Sequence, residues 1–263
     1  MKKIAVGLQK GGTGKTTTTL CLGRGLAERK RRVLLIDLDP QANLTTAAGI
    51  DPVTLEGPSI YECLTNPETT LSEAIFETDY GFDVAPATIA LSLAEKHLMT
   101  AMNRDRKLYR KLSDLEKQSR QNAQLAYDYV LIDCPPSLGI LTVNALAAAD
   151  FALVPLQAQQ FAAYGLNYFL DTMNEVRAEF NEQLSLLGVV LTMYNARTKV
   201  SQDVANEMRE ALGDRVFDTI IRTATILGEV ATRGPVQAYS PRSEAASEYN
   251  RLAEEVIRRA EKS

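Results

Sequence analysis

Eight residues, Lys10-Gly11-Gly12-Thr13-Gly14-Lys15-Thr16-Thr17, constrain this chain more than any other stretch. They follow an apolar run at residues 4–8 and open a segment with helical spacing at residues 16–29. A glycine-rich turn between a strand and a helix, closed by Gly-Lys-Thr, is built to wrap phosphate. Gly11, Gly12 and Gly14 let the backbone curl around Thr13 and aim successive N–H groups at oxygens. The helix start adds its positive end. Lys15 is expected to reach the β- and γ-phosphates of a nucleotide, the Thr16 hydroxyl to ligate Mg²⁺, and Thr17 to meet the α-phosphate.

That loop needs a sheet behind it, and the rest of the chain supplies one. Strand-length apolar runs recur at residues 33–36, 82–85, 129–132, 151–156, 186–192 and 216–221. Several are continuous rather than alternating, the pattern of strands buried on both faces. Segments of helical spacing separate them, as at residues 138–149, 164–180 and 201–212. The expected fold is α/β: a doubly wound, mainly parallel twisted sheet flanked by helices, with ligands at the carboxyl ends of its strands. No linker or repeat interrupts it, so residues 1–263 read as a single domain. Residues 91–124 break the alternation and read as one or two exposed helices with a basic bias.

Composition excludes several chemistries. Three scattered cysteines, with no C-x-x-C pair, argue against a disulfide framework or a sequence-evident metal site. One histidine, His97, rules out any mechanism that needs two on a chain. No apolar run approaches the ~20 residues of a membrane span. With a net charge of −4, the chain cannot coat a polyanion by bulk charge, and any nucleic-acid binding needs a local basic patch. A reducing cytoplasm is the simplest setting.

Two further features belong to the phosphate loop. Lys10 is a second lysine at the loop's start, where Lys15 already supplies the charge. One physical use for it is to act in trans, as a point charge on another subunit's nucleotide. Asp133 ends an apolar strand ahead of two prolines, at the carboxyl edge where a carboxylate can hold Mg²⁺ through water. Asp37 and Asp39 end a neighbouring run, and would share one face if the strand continued through both.

These motifs resemble the ParA/MinD family of ATPases, whose phosphate loop carries the same deviant Walker A pattern. The stretch from Val33 through Asp37, Asp39 and Gln41 to Asn43 resembles the family's second acidic motif. Residues 129–136 resemble its Walker B, and residues 191–198 the run after a later strand. The resemblance covers nearly the whole chain. It implies a P-loop NTPase fold and slow, Mg²⁺-dependent ATP hydrolysis. It assigns Lys10, Lys15 and Asp39 to catalysis, with Asp39 positioning the attacking water. Thr16, Asp37 and Asp133 go to the metal, and Asn195 to the adenine edge.

The family divides between DNA and membrane partners. MinD-like members end in an amphipathic membrane helix. Here the last segment carries only a narrow stripe, Leu252, Val256 and Ile257, without Trp or Phe, and is expected to pack on its own domain. Residues 220–236 and 239–243 resemble the ParA region that binds DNA without sequence preference, through Arg222, Arg242 and the nearby Arg233. Ile221, Thr223 and Thr225 depart from that pattern. The chain starts at its first strand and resembles the short, Soj-like type. The resemblance implies an ATP-dependent homodimer, associated with the nucleoid, and a ParB-like or cargo-adaptor protein that stimulates hydrolysis. The alternative is a MinD-like positioning ATPase on a membrane.

Overall fold

The computed structural model describes residues 1–160 and 162–262. Its strands follow the apolar runs: β1 (Lys2–Val6), β2 (Val33–Asp37), β3 (Phe76–Glu77), β4 (Asp83–Ala85), β5 (Tyr129–Asp133), β6 (Phe151–Gln157) and β7 (Ser185–Thr192). They form one sheet in the order β3-β4-β2-β5-β1-β6-β7. Every neighbouring pair is parallel except β3 with β4. This is the doubly wound α/β arrangement expected from the sequence.

The continuous apolar runs are explained by two cores, one on each face. Leu34 and Ile36 of β2 and Val130 and Ile132 of β5 enter one core. Val33, Leu35, Tyr129 and Leu131 alternate into the other. On the first face lie Leu112 and Leu115 of helix Lys107–Ser119, Leu141 of helix Ile140–Ala148, Phe169 of helix Ala162–Glu179, and Met208 of helix Lys199–Leu212. On the second lie Leu20, Leu22 and Leu26 of helix Lys15–Glu28, with Leu252 and Val256 of helix Glu244–Lys262. Each fully buried leucine contributes about 2 kcal/mol relative to exposure. The C-terminal stripe is thus covered by the chain's own domain.

One expected strand is absent. Residues 216–222 run beside β7 and the two residues after it, paired by two isolated bridges, Val189 with Val216 and Tyr194 with Arg222, instead of a ladder. The Phe217 and Ile221 N–H groups donate to the Val189 and Leu191 carbonyls. Between them, the Asp218 and Thr219 N–H groups donate to the Glu255 carboxylate, each at 3.0 Å. A side chain of the C-terminal helix thus takes donors that a ladder would have used. Gly188 permits the close passage: its φ is +155°, and a Cβ there would lie 2.6 Å from the Arg215 carbonyl.

Residues 91–124 form helices Ala94–Leu98 and Lys107–Ser119, of which the longer buries Leu108, Leu112 and Leu115. Its basic face is partly structural. The Lys111 ammonium donates to the carbonyls of Asn66, Pro67 and Thr69 at 3.2, 2.9 and 2.6 Å.

Candidate nucleotide site

The carboxyl ends of β1, β2 and β5 converge on the glycine loop. Gly12 and Gly14 take φ values of +70° and +85°, a region that side chains resist. A Cβ built on Gly11, Gly12 or Gly14 would meet nothing within 4 Å, so the loop encloses open space. A cavity of about 390 Å³ lies in front of it, lined by residues 11–17 together with Asp39, Gln41, Asn43, Pro136 and Met193. Thr13 Oγ1 is buried without a hydrogen-bond partner among the described residues. Its carbonyl accepts from the Thr192 hydroxyl at 2.8 Å, which ties the loop to the end of β7.

Lys15 leads the helix and is buried. Its ammonium donates to the Lys10 carbonyl at 2.7 Å, folding the side chain back along the loop. Burial lowers its pKa, while Asp133 and Asp39 pull the other way. Lys10 itself is half-buried at the loop's start.

Asp133 is fully buried at the end of β5. Its Oδ2 accepts from the Thr16 hydroxyl at 2.7 Å, and its Oδ1 from the Thr19 hydroxyl at 3.2 Å. Asp37 stands directly beside it in the β2–β5 register. Burial raises both carboxyl pKa values, and Asp37 raises that of Asp133 further, against the opposing effect of Thr16 and Lys15. Two adjacent buried carboxylates make a place where a cation is welcome. Among the described residues, no three His, Cys, Asp or Glu side chains form a group able to hold a metal unaided. A hydroxyl and a carboxylate that leave remaining positions to water and phosphate suit Mg²⁺, which keeps waters and leans on substrate phosphates.

Asp37 and Asp39 do not share a strand face, because β2 ends at Asp37. The chain turns there, and the Asp39 N–H donates to Asp37 Oδ1 at 3.1 Å. Asp37 Oδ2 takes the N–H and the hydroxyl of Thr45 at 2.9 and 2.7 Å. Asp37 therefore fixes the loop from inside, whereas Asp39 lines the cavity.

A second cavity of about 230 Å³ adjoins the first and shares Gly14, Thr17 and Met193 with it. Thr192, Ile221, Arg222, Thr223, Ala224, Leu227, Gly228 and Tyr249 line the remainder, so Arg222 borders this cavity as well as the surface. Asn195 lines neither cavity. It is exposed, and its Oδ1 accepts the Arg197 N–H at 3.0 Å in a local turn. No motif assigns Met193 a part, although it borders both cavities at a left-handed φ of 49°. Nor does one assign Leu227 or Tyr249, whose signal is only apolar character far along the chain.

The three candidate DNA arginines are exposed. Arg222 meets Glu244 and Glu248, each at 2.6 Å. Arg233 meets Glu229 at 2.7 Å and lies over the Tyr239 ring at 4.5 Å. Arg242 makes no ion pair among the described residues.

A family model described as an AAA domain matches residues 1–186. The sporulation initiation inhibitor protein Soj of Bacillus subtilis is 41% identical, over 97% of this chain and 98% of its own. The chromosome partitioning protein ParA of Caulobacter vibrioides is 42% identical, over 98% and 95%. Among solved structures, cobyrinic acid a,c-diamide synthase of Mycobacterium smegmatis with a bound ATP analogue and magnesium matches with a TM-score of 0.84. That likeness is 36% in sequence and covers 98% of this chain and 95% of the other.

Proposed function

The chain belongs to the ParA/MinD family, on its Soj-like branch, and we propose from that premise that it is a partition ATPase working as a nucleotide-gated dimer on DNA. The observation that carries the reading is the open glycine cradle, with buried Lys15 at its end, Asp39 lining its cavity and Asp133 buried behind the Thr16 hydroxyl. ATP and Mg²⁺ are its ligands. The loop N–H groups and Lys15 bind the phosphates, and the adjoining cavity of Met193, Thr223, Ala224, Leu227 and Tyr249 receives the base. Bound Mg²⁺ supplies charge neutralisation for the transferring phosphoryl group. Thr16 and Asp133 hold it, with Asp37 behind them. Asp39 orients the water that attacks the γ-phosphate, and the products are ADP and phosphate.

Dimerisation is supported by where exposed apolar side chains fall. Tyr164 and Tyr168 follow β6, Met193 and Val200 follow β7, and Ile89 and Leu93 follow β4. All sit towards the carboxyl edge that carries the loop and Lys10. A second copy laid on that edge covers them and brings Lys10 to the facing nucleotide. DNA binds without sequence preference through Arg222, Arg233 and Arg242. Two such patches in one dimer gain effective concentration over one. A ParB-like or cargo-adaptor protein stimulates hydrolysis and releases the dimer from a nucleoid in the cytoplasm. The covered C-terminal helix gives the membrane alternative no support.

The direct test is nucleotide binding by Lys15→Ala, followed with a fluorescent ATP analogue. Binding is expected to be abolished, and wild-type affinity would remove the loop from the assignment.

A further inference from the structure

The candidate DNA surface is already occupied by the chain's own acids. Arg222, Arg233 and Arg242 carry three positive charges, and Glu229, Glu244 and Glu248, which pair with two of them, carry three negative. These six side chains sum to zero charge. The arrangement at Arg222 is the most developed. Glu248 is 1% exposed, and it accepts the Arg222 N–H on Oε2 at 2.9 Å and the guanidinium on Oε1 at 2.6 Å. A buried carboxylate without those donors would be costly, so Glu248 is a fixed partner. Glu244 is different. Its side chain is 70% exposed, and it approaches the same Nη1 atom, at 2.6 Å, from the solvent side.

We propose that Glu244 is a displaceable mask on the DNA surface: its carboxylate occupies the outer side of the Arg222 guanidinium, where a backbone phosphate would bind, and leaves when DNA arrives. This rests on the DNA-binding reading and adds to it a reason why a single subunit grips DNA weakly. With Glu244 and Glu248 both in place, a phosphate approaching Arg222 meets a local charge of −1. When Glu244 swings away, Glu248 still holds Arg222 in position, and a phosphate replaces one carboxylate oxygen by another of the same chemistry. Exposed ion pairs are weak enough to be exchanged in this way. The mask sets a threshold: one patch gains little over its own acid, while two patches joined in a dimer displace both masks at once.

The test measures binding of a labelled random-sequence duplex to the full chain, with a non-hydrolysable ATP analogue, across a salt series. Glu244→Gln is expected to tighten binding about 3–10-fold at low salt and to leave the log–log salt slope unchanged, because Arg222 takes the same phosphate in both proteins. Glu254→Gln removes an equally exposed acid from the same helix, one paired with Arg29 instead, and is expected to leave both unchanged. Adding Arg222→Ala to Glu244→Gln is expected to erase the gain. If Glu244→Gln matches wild type while Arg222→Ala weakens binding, the mask is overturned and the DNA reading stands. If Glu254→Gln gives the same gain, bulk charge is responsible and the mask is overturned. If neither wild type nor Glu244→Gln binds DNA with the analogue, the DNA reading falls and the mask with it.

Discussion

Asp133 depends on two threonines one helical turn apart, and they need not contribute alike. Thr16 donates to one carboxylate oxygen and Thr19 to the other, while the Thr19 hydroxyl also lies 3.0 Å from the Lys15 carbonyl. A single hydroxyl proton is shared between those acceptors. Thr19→Val is expected to leave Asp133 Oδ1 short of a donor, about 1–3 kcal/mol of lost satisfaction for a buried group. The Mg²⁺ concentration that half-saturates Mg-dependent ADP binding should rise several-fold, and Thr19→Ser should restore it. Calorimetric titration across a Mg²⁺ series reads both. Asp39 makes a separate case, because its carboxylate faces the cavity while its N–H is tied to Asp37. Asp39→Ala is expected to keep nucleotide binding and to slow the chemical step by at least about 100-fold, the scale of a lost positioning group. Single-turnover hydrolysis measures it.

Glu255 decides what residues 216–221 become. Burial alone would raise its pKa, but the N–H groups of Asp218 and Thr219, with Arg259, outweigh burial and hold it below the ordinary carboxylate value. Its contribution to stability is complete above the unfolded pKa of about 4.3. It is lost as pH falls through the lower, folded value. Glu255→Ala is expected to cost about 3 kcal/mol, since it strands two backbone donors and takes away the carboxylate partner of Arg259. Urea unfolding at pH 7 checks the loss, and repeating it at successively lower pH should show the gap between variant and wild type narrowing. This carboxylate also marks how far the sequence could be read. The runs at β1, β2, β5, β6 and β7 were legible because apolar residues fill both faces. Residues 216–221 carry the same pattern, yet they donate to a side chain 36 or 37 residues away, which no local pattern reveals. The two-residue β3 is too short to leave a pattern at all. At the site, the loop and Asp133 were legible because chemistry fixes their spacing. The wall of the second cavity was not, because Met193, Leu227 and Tyr249 meet only after the sheet is assembled.

At the scale of the whole molecule, the proposal turns on association. With a non-hydrolysable ATP analogue the chain is expected to sediment as a dimer, and with ADP as a monomer. Lys10→Ala should bind the analogue nearly as well as wild type, yet remain largely monomeric. Analytical ultracentrifugation separates these outcomes, and a normally dimerising Lys10→Ala would remove the trans role. The two margins of the sheet decide which other assemblies are open to it. On one side the outermost strand, β3, is only two residues long and antiparallel. On the other, residues 216–222 lie along β7, with the inner Asp218 and Thr219 donors consumed by Glu255. An exposed strand with open donors and acceptors is a template on which further chains add and precipitate. A protein that gathers on DNA at high local density, as proposed for this one, carries that hazard more than most. Here neither margin offers a long row of open backbone groups, so molecules packed side by side can part again rather than knit into a fibre.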